Sequence, residues 1–137
     1  MTLLATAPTI AAAPAPAAAT PPLPARAAEL AVIVPVFNER ANVAELVARL
    51  EQVLAGVAWE VVFVDDDSPD GTAAEVRRLG RSKPHVRCVQ RIGRRGLASA
   101  CVEGMLATSA DYLAVMDADL QHPPELIAMM RSPALAE

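Results

Sequence analysis

Aromatic side chains are scarce: two Phe, one Trp and one Tyr make up 3% of the 137 residues. Any core must therefore be filled mainly by Val, Leu, Ile, Met and Ala. A basic surplus is missing too. Twelve Lys and Arg against sixteen Asp and Glu leave a net charge of −4, which argues against a general nucleic-acid binder. There are two cysteines, Cys88 and Cys101, spaced for neither a CxxC pair nor a zinc site. Each lies in an apolar-patterned segment and reads as a small core residue in a reducing, cytoplasmic setting. No run approaches the ~18 apolar residues that a bilayer span needs. The N-terminus is apolar, but no basic residue precedes Arg26, and Pro8, Pro14 and Pro16 interrupt any helical stretch. It does not read as a signal peptide.

The length leaves room for one small domain. Residues 1–28 are rich in Ala, Pro and Thr and bury too little to offset their ordering entropy, so a disordered tail is expected there. From Leu30 the texture changes. The run from Leu30 to Phe37 is nearly continuous and β-branched, as in a strand buried on both faces. Val43, Leu46, Val47, Leu50, Val53 and Leu54 then recur at helical spacing. Glu60 to Val64 reads as a second buried strand. Ser68-Pro69-Asp70-Gly71 is turn chemistry, and Thr72-Ala73-Ala74-Glu75 reads as a capping box that opens a second helix. His85 to Gln90 is a third strand, and Leu97, Ala100, Cys101, Gly104 and Met105 line one face of a third helix. Tyr112 to Met116 reads as a fourth buried strand, and Pro123-Pro124-Glu125 opens a last short helix. Strands alternating with helices imply an α/β, Rossmann-like fold, with a mostly parallel sheet and helices on both faces.

In such sheets ligands bind at the carboxyl ends of the strands, and all four ends are polar. Asp117 and Asp119, two apart in an extended segment, face the same side, and Gln121 joins them. Two close carboxylates repel each other, and a divalent cation relieves this. Oxygen-only ligands suit Mg²⁺ or Mn²⁺, which one or two carboxylates hold together with substrate phosphates. Asp66, after the second strand, is a candidate base reader. A carboxylate accepts a ring N–H and, in guanine, an adjacent amino group as well, so Asp66 suits guanine or uracil. The alternative is a solvated acidic turn. Asp65 and Asp67 suit either a solvated acidic turn or backbone capping, and Asp70 suits the turn. Arg91, Arg94 and Arg95 beside Gly93 and Gly96 either touch phosphates at a helix N-terminus or form a solvated basic loop. His122 is a candidate partner of the metal site, and His85 reads as the surface start of a strand.

Four segments carry a resemblance: Val34-Pro35-Val36-Phe37-Asn38-Glu39; Val62-Phe63-Val64-Asp65-Asp66-Asp67-Ser68-Pro69-Asp70-Gly71-Thr72; Arg94-Arg95-Gly96-Leu97-Ala98-Ser99-Ala100; and Met116-Asp117-Ala118-Asp119-Leu120-Gln121-His122-Pro123-Pro124-Glu125. In order and spacing they resemble family 2 glycosyltransferases of the GT-A fold, in particular the polyprenol-phosphate (dolichyl-phosphate) mannosyltransferase branch. The resemblance implies that Pro35, Phe37 and Glu39 line the nucleotide pocket and that Val64 and Asp66 contact the base and ribose. It implies that Asp117, Ala118 and Asp119 hold the donor diphosphate, with Asp117 and Asp119 as catalytic residues, and that Asp117, Asp119 and Gln121 serve the metal. Phe37 departs from the tyrosine often found at its position, losing a hydroxyl but keeping the ring face.

The implied reaction is inverting transfer of mannose from GDP-mannose to a polyprenyl phosphate, at the cytoplasmic face of the membrane in the full-length protein. Residues 29–137 then correspond to the nucleotide-sugar-binding half of a GT-A domain. The rival readings are a UDP-sugar donor acting on undecaprenyl phosphate, a truncated nucleotide-binding module without catalysis, and a signalling receiver domain. The receiver pattern fits poorly, because its acidic pair follows the first strand, where this chain has Asn38-Glu39. The isolated 137-residue chain is expected to bind donor weakly and to transfer no sugar. Measurable turnover with GDP-mannose, Mg²⁺ or Mn²⁺ and a polyprenyl phosphate would refute that expectation.

Overall fold

The computed structural model describes residues 27–121, 123–125 and 127. The N-terminal tail expected from composition therefore lies almost wholly outside the described residues, as do His122 and most of the last helix. Four strands, β1 (Leu30–Val36), β2 (Trp59–Asp65), β3 (Val86–Gln90) and β4 (Tyr112–Val115), form one sheet in the order β3-β2-β1-β4. All three pairings are parallel. Between the strands run α1 (Arg40–Val53), α2 (Thr72–Gly80) and α3 (Leu97–Leu106).

The alternation of side chains across β1 and β2 divides the core in two. Val32, Val34, Val61 and Phe63 face α1 and α2 and share a cluster with Val43, Leu46, Leu50 and Val76. Ala31, Ile33, Val62 and Val64 point the other way and pack under Ala100 of α3. Both strands are therefore buried on both faces, which is why their sequences lack polar alternation.

The chain winds from β1 through β2 to β3 on one side, then crosses back so that β4 lies on the far side of β1. That reversal makes the carboxyl ends of β1 and β4 the topological switch point of the sheet. Pro35 lies two residues past Ile33, the last β1 residue paired with β4. Its missing N–H would face β4, so the proline sits where the ladder has already ended.

Two sequence expectations change. β4 is an edge strand, not a buried one, with Leu113 and Val115 exposed, because among the described residues it pairs only with β1. The Thr72–Glu75 capping box does not form. Gly71, at φ +87°, takes the N-cap position, and Thr72 is already helical. Asp70, two residues before Thr72, instead accepts the Thr72 N–H at 2.9 Å, and the Glu75 carboxylate pairs with Arg78. The two cysteines are free and only partly buried.

Gly104 lets α3 sit close on the sheet: a Cβ there would lie 2.4 Å from Ile33 Cγ2 and 2.9 Å from Val64 Cγ2. Gly104→Ala is expected to lower stability by about 1–3 kcal/mol in urea unfolding, because the overpacking outweighs the better helix propensity of alanine. A stability gain would show that α3 is free to lift.

Candidate active site

Because all four strands are parallel, their carboxyl ends lie along one edge. Three of the segments that leave this edge contain a non-glycine residue at positive φ: Asn38 (54°), Asp67 (60°) and Leu120 (63°). Such backbone is sparsely populated and concentrates at functional sites.

The segments after β1 and β2 are bound into one unit. Three successive backbone N–H groups, of Asn38, Glu39 and Arg40, donate to Ser68 Oγ (2.9 Å), Thr72 Oγ1 (3.1 Å) and Asp70 Oδ2 (3.2 Å). These include donors that the start of α1 would otherwise leave without a partner. Ser68 is held in turn by the fully buried Asp65, which accepts both its N–H and its hydroxyl. The hydroxyl of Thr72 donates to Asp70. Of the two readings open for Asp65 and Asp67, Asp65 takes backbone capping, Asp67 is exposed and accepts the Gln90 side-chain amide at 3.0 Å, and Asp70 serves the turn. That Ser68, Thr72 and Asp70 cap α1, some 30 residues earlier, was not foreseen.

Phe37 projects outward from the end of β1, 44% exposed, and the Arg95 guanidinium lies over its ring at 4.9 Å. Glu39 accepts a bond from the Asn42 side chain at 2.7 Å. Val64 and Ala118 are buried.

Asp66 is a different kind of residue from its neighbours. Its carboxylate takes Arg91 Nε at 2.6 Å and Arg91 Nη2 at 3.1 Å, together with the Gly96 N–H at 3.0 Å. Partial burial pushes this carboxyl up, but the bonds from Arg91 and Gly96 outweigh that and hold it below the ordinary aspartate value. The Arg91 side chain is wholly buried. It further donates to Ser99 Oγ at 2.8 Å and the Gly96 carbonyl at 3.0 Å. Arg94 lies outside, bidentate to Glu103 at 2.6 and 2.8 Å. The three arginines thus have three different tasks. The strand pattern held a signal for Arg91, since it falls on the same face as Arg87 and Val89, the face that meets α3. A groove of about 480 Å³ opens between Asp66, Asp67, Gly93, Arg94 and Arg95.

At the end of β4 the burial alternates. Met116 and Ala118 turn into the core while Asp117 and Asp119 are exposed. Both carboxylates of the expected pair are therefore exposed to solvent. Asp119 Oδ1 accepts the Gln121 N–H at 3.1 Å, which stabilises the tight turn around Leu120. Two exposed carboxylates supply oxygen donors of the kind Mg²⁺ or Mn²⁺ accepts. Among the described residues no group of three or more acidic, His or Cys side chains is placed to hold a metal alone. A cation here would need ligands from elsewhere, such as the oxygens of a diphosphate.

Residues 31–137 match the glycosyl transferase family 2 profile. The chain is 46% identical over 99 residues to a dolichol-phosphate mannosyltransferase of Pyrococcus furiosus, covering 72% of this chain and 28% of that protein. It is 42% identical over 105 residues to the dolichol-phosphate mannosyltransferase of Saccharomyces cerevisiae, covering 72% of this chain and 38% of that protein. The chain thus spans about a third of the length of these curated relatives. A mannosyltransferase from Pyrobaculum calidifontis, solved with GDP-Man and Mn²⁺, superposes with a TM-score of 0.62 at 26% identity, covering 78% of this chain and 33% of that one. Among the described residues no helix is long and apolar enough to cross a membrane.

The cap on α1 has a pH signature. The bond from Thr72 holds the Asp70 carboxyl below its ordinary value of 3.8, against a smaller opposing effect of desolvation. A depressed folded-state value means stability that is complete above the ordinary value and is lost as pH falls through the lower one. Asp70→Asn is expected to cost about 1 kcal/mol near neutral pH. Its deficit against the unsubstituted chain should shrink in urea titrations taken from about pH 6 to about pH 2. A deficit that stays constant with pH would show that the Asp70 charge is not what caps α1.

Proposed function

The chain belongs to glycosyl transferase family 2, and on that footing we propose that it forms the donor-binding part of a glycosyltransferase that moves mannose from GDP-mannose to a polyprenyl phosphate, with inversion and with the help of Mg²⁺ or Mn²⁺. The observation that carries this reading is the burial alternation after β4. It turns Asp117 and Asp119 outward together beside the switch point of the sheet. The mannosyltransferase relatives and the related structure that holds GDP-Man and Mn²⁺ support the choice of donor, metal and lipid class.

In this reading Pro35, Phe37 and Glu39 line the nucleotide pocket from the end of β1. Val64 and Asp66 meet the base and ribose from the end of β2. Asp117, Ala118 and Asp119 hold the diphosphate, and Asp117, Asp119 and Gln121 would hold the cation. When bound there, a divalent cation would supply positive charge to offset that of the departing diphosphate. The residues themselves anchor and orient the donor. The bond from the anomeric carbon to the diphosphate breaks as an oxygen of the acceptor phosphate bonds to the opposite face. No protein base is required, because a phosphate monoester with a second pKa near ~6 is already anionic at neutral pH. The acceptor places the reaction at a membrane surface, on the cytoplasmic face where the nucleotide sugar is available.

Asp119→Asn removes one of the two outward charges while leaving the Oδ1 acceptor for Gln121. It is expected to weaken Mn²⁺-dependent GDP-mannose binding by at least about tenfold in calorimetric titration, with little change in metal-free binding. Unchanged affinity in Mn²⁺ would sink the metal assignment.

A further inference from the structure

The fully buried Arg91 bears on how Asp66 meets its ligand. A guanidinium has five N–H donors in a rigid plane. Nε and one N–H of Nη2 go to the two oxygens of Asp66. The second N–H of Nη2 goes to the Gly96 carbonyl. Nη1 meets Ser99 Oγ at 2.8 Å and Glu103 Oε1 at 3.5 Å. Ser99 Oγ itself donates to the Gly96 carbonyl at 3.1 Å. The group is saturated, and turning Asp66 away from it would leave a buried charge without its partner, which is strongly unfavourable.

An ionised carboxylate offers about four acceptor sites, two on each oxygen. On Asp66, Oδ2 spends both, on Arg91 Nη2 and the Gly96 N–H. Oδ1 spends one, on Arg91 Nε, and among the described residues no further donor reaches it. One acceptor site remains, on a carboxylate that is 14% exposed and borders the groove beneath Gly93, Arg94 and Arg95.

Resting on the reading of Asp66 as the base contact, we propose that Arg91 is a positioning residue that presents Asp66 to the nucleotide through Oδ1 alone, so that the carboxylate accepts one ring N–H and leaves the 2-amino group of guanine unread. Paired recognition of guanine needs one free acceptor on each oxygen, and Oδ2 has none. Uracil and hypoxanthine each offer a single ring N–H and suit the remaining site as well as guanine does. Any preference for one base then comes from the shape of the groove, not from this carboxylate.

Inosine diphosphate tests this, since it keeps the ring N–H of guanine and lacks the amino group. Titrations of the 137-residue chain with GDP, IDP and UDP in Mn²⁺ should give GDP and IDP affinities within about threefold of each other, less than one hydrogen bond to a charged group supplies. A larger preference for GDP overturns the proposal. Arg91→Lys cannot span both oxygens, so it frees a site on Oδ2. It should raise the GDP preference over IDP about fivefold, whereas a merely structural defect would weaken both ligands alike. If that variant does not fold, the GDP to IDP ratio of the unsubstituted chain decides alone. The reading of Asp66 fails separately: Asp66→Asn with unchanged GDP and IDP affinity, or no GDP binding by the chain at all, removes the base contact itself.

Discussion

The first turn of α1 is capped from another part of the chain, and the arrangement of the site depends on it. A helix that begins at the end of a buried strand has backbone donors with no partner in their own helix. Here those of Asn38, Glu39 and Arg40 are taken by Ser68, Thr72 and Asp70, and the buried Asp65 holds Ser68 in turn. The contact sets the direction of the chain after β1, including the positive φ of Asn38 and the outward Phe37. Much of the acidic Asp65–Asp70 stretch is therefore structural. The carboxylates of Asp65 and Asp70 are occupied by backbone and hydroxyl donors and that of Asp67 accepts the Gln90 side-chain amide, which leaves Asp66 as the member whose partner is a buried arginine.

A second constraint governs the other side of the edge. Arg91 draws Asp66, Ser99 and the Gly96 carbonyl around one guanidinium, tying the end of β2 to the loop that starts α3. Arg94 and Arg95 extend this tie outward, to Glu103 and to the face of Phe37. The loop that could have been a loose basic flap is therefore anchored at three points. On the far side of β1, the segment after β4 relies on simpler means: Met116 and Ala118 fill the core, so Asp117 and Asp119 must face outward.

Most of the fold was legible in the sequence because its signals are local. Unbroken β-branched runs report strands covered on both faces, and the spacing from Val43 to Leu54 reports α1. The carboxylate pair after β4 followed from a period of two. The capping box and the buried fourth strand were inferred from neighbours in sequence. The Thr72 N–H is taken by Asp70, a near neighbour that competes with the box, whereas the real cover of β4 depends on which elements lie alongside. Sequence leaves the role of Arg91 open between ligand and loop, because burial is a property of what packs over a residue.

By itself the sequence determined the element types, the two-faced core, the parallel α/β class and the exposure of Asp117 and Asp119, because each rests on repeats a few residues long. Tertiary structure decided the order β3-β2-β1-β4 and hence the switch point beside those aspartates. It also decided which of the acidic residues after β2 are spent on capping, and which oxygen of Asp66 remains open. The strand order rests on pairs as far apart as Leu30 and Tyr112, and the caps on α1 and the bonds to Asp66 join residues some 25 to 33 positions apart, whose partners meet only after the strands have taken their register.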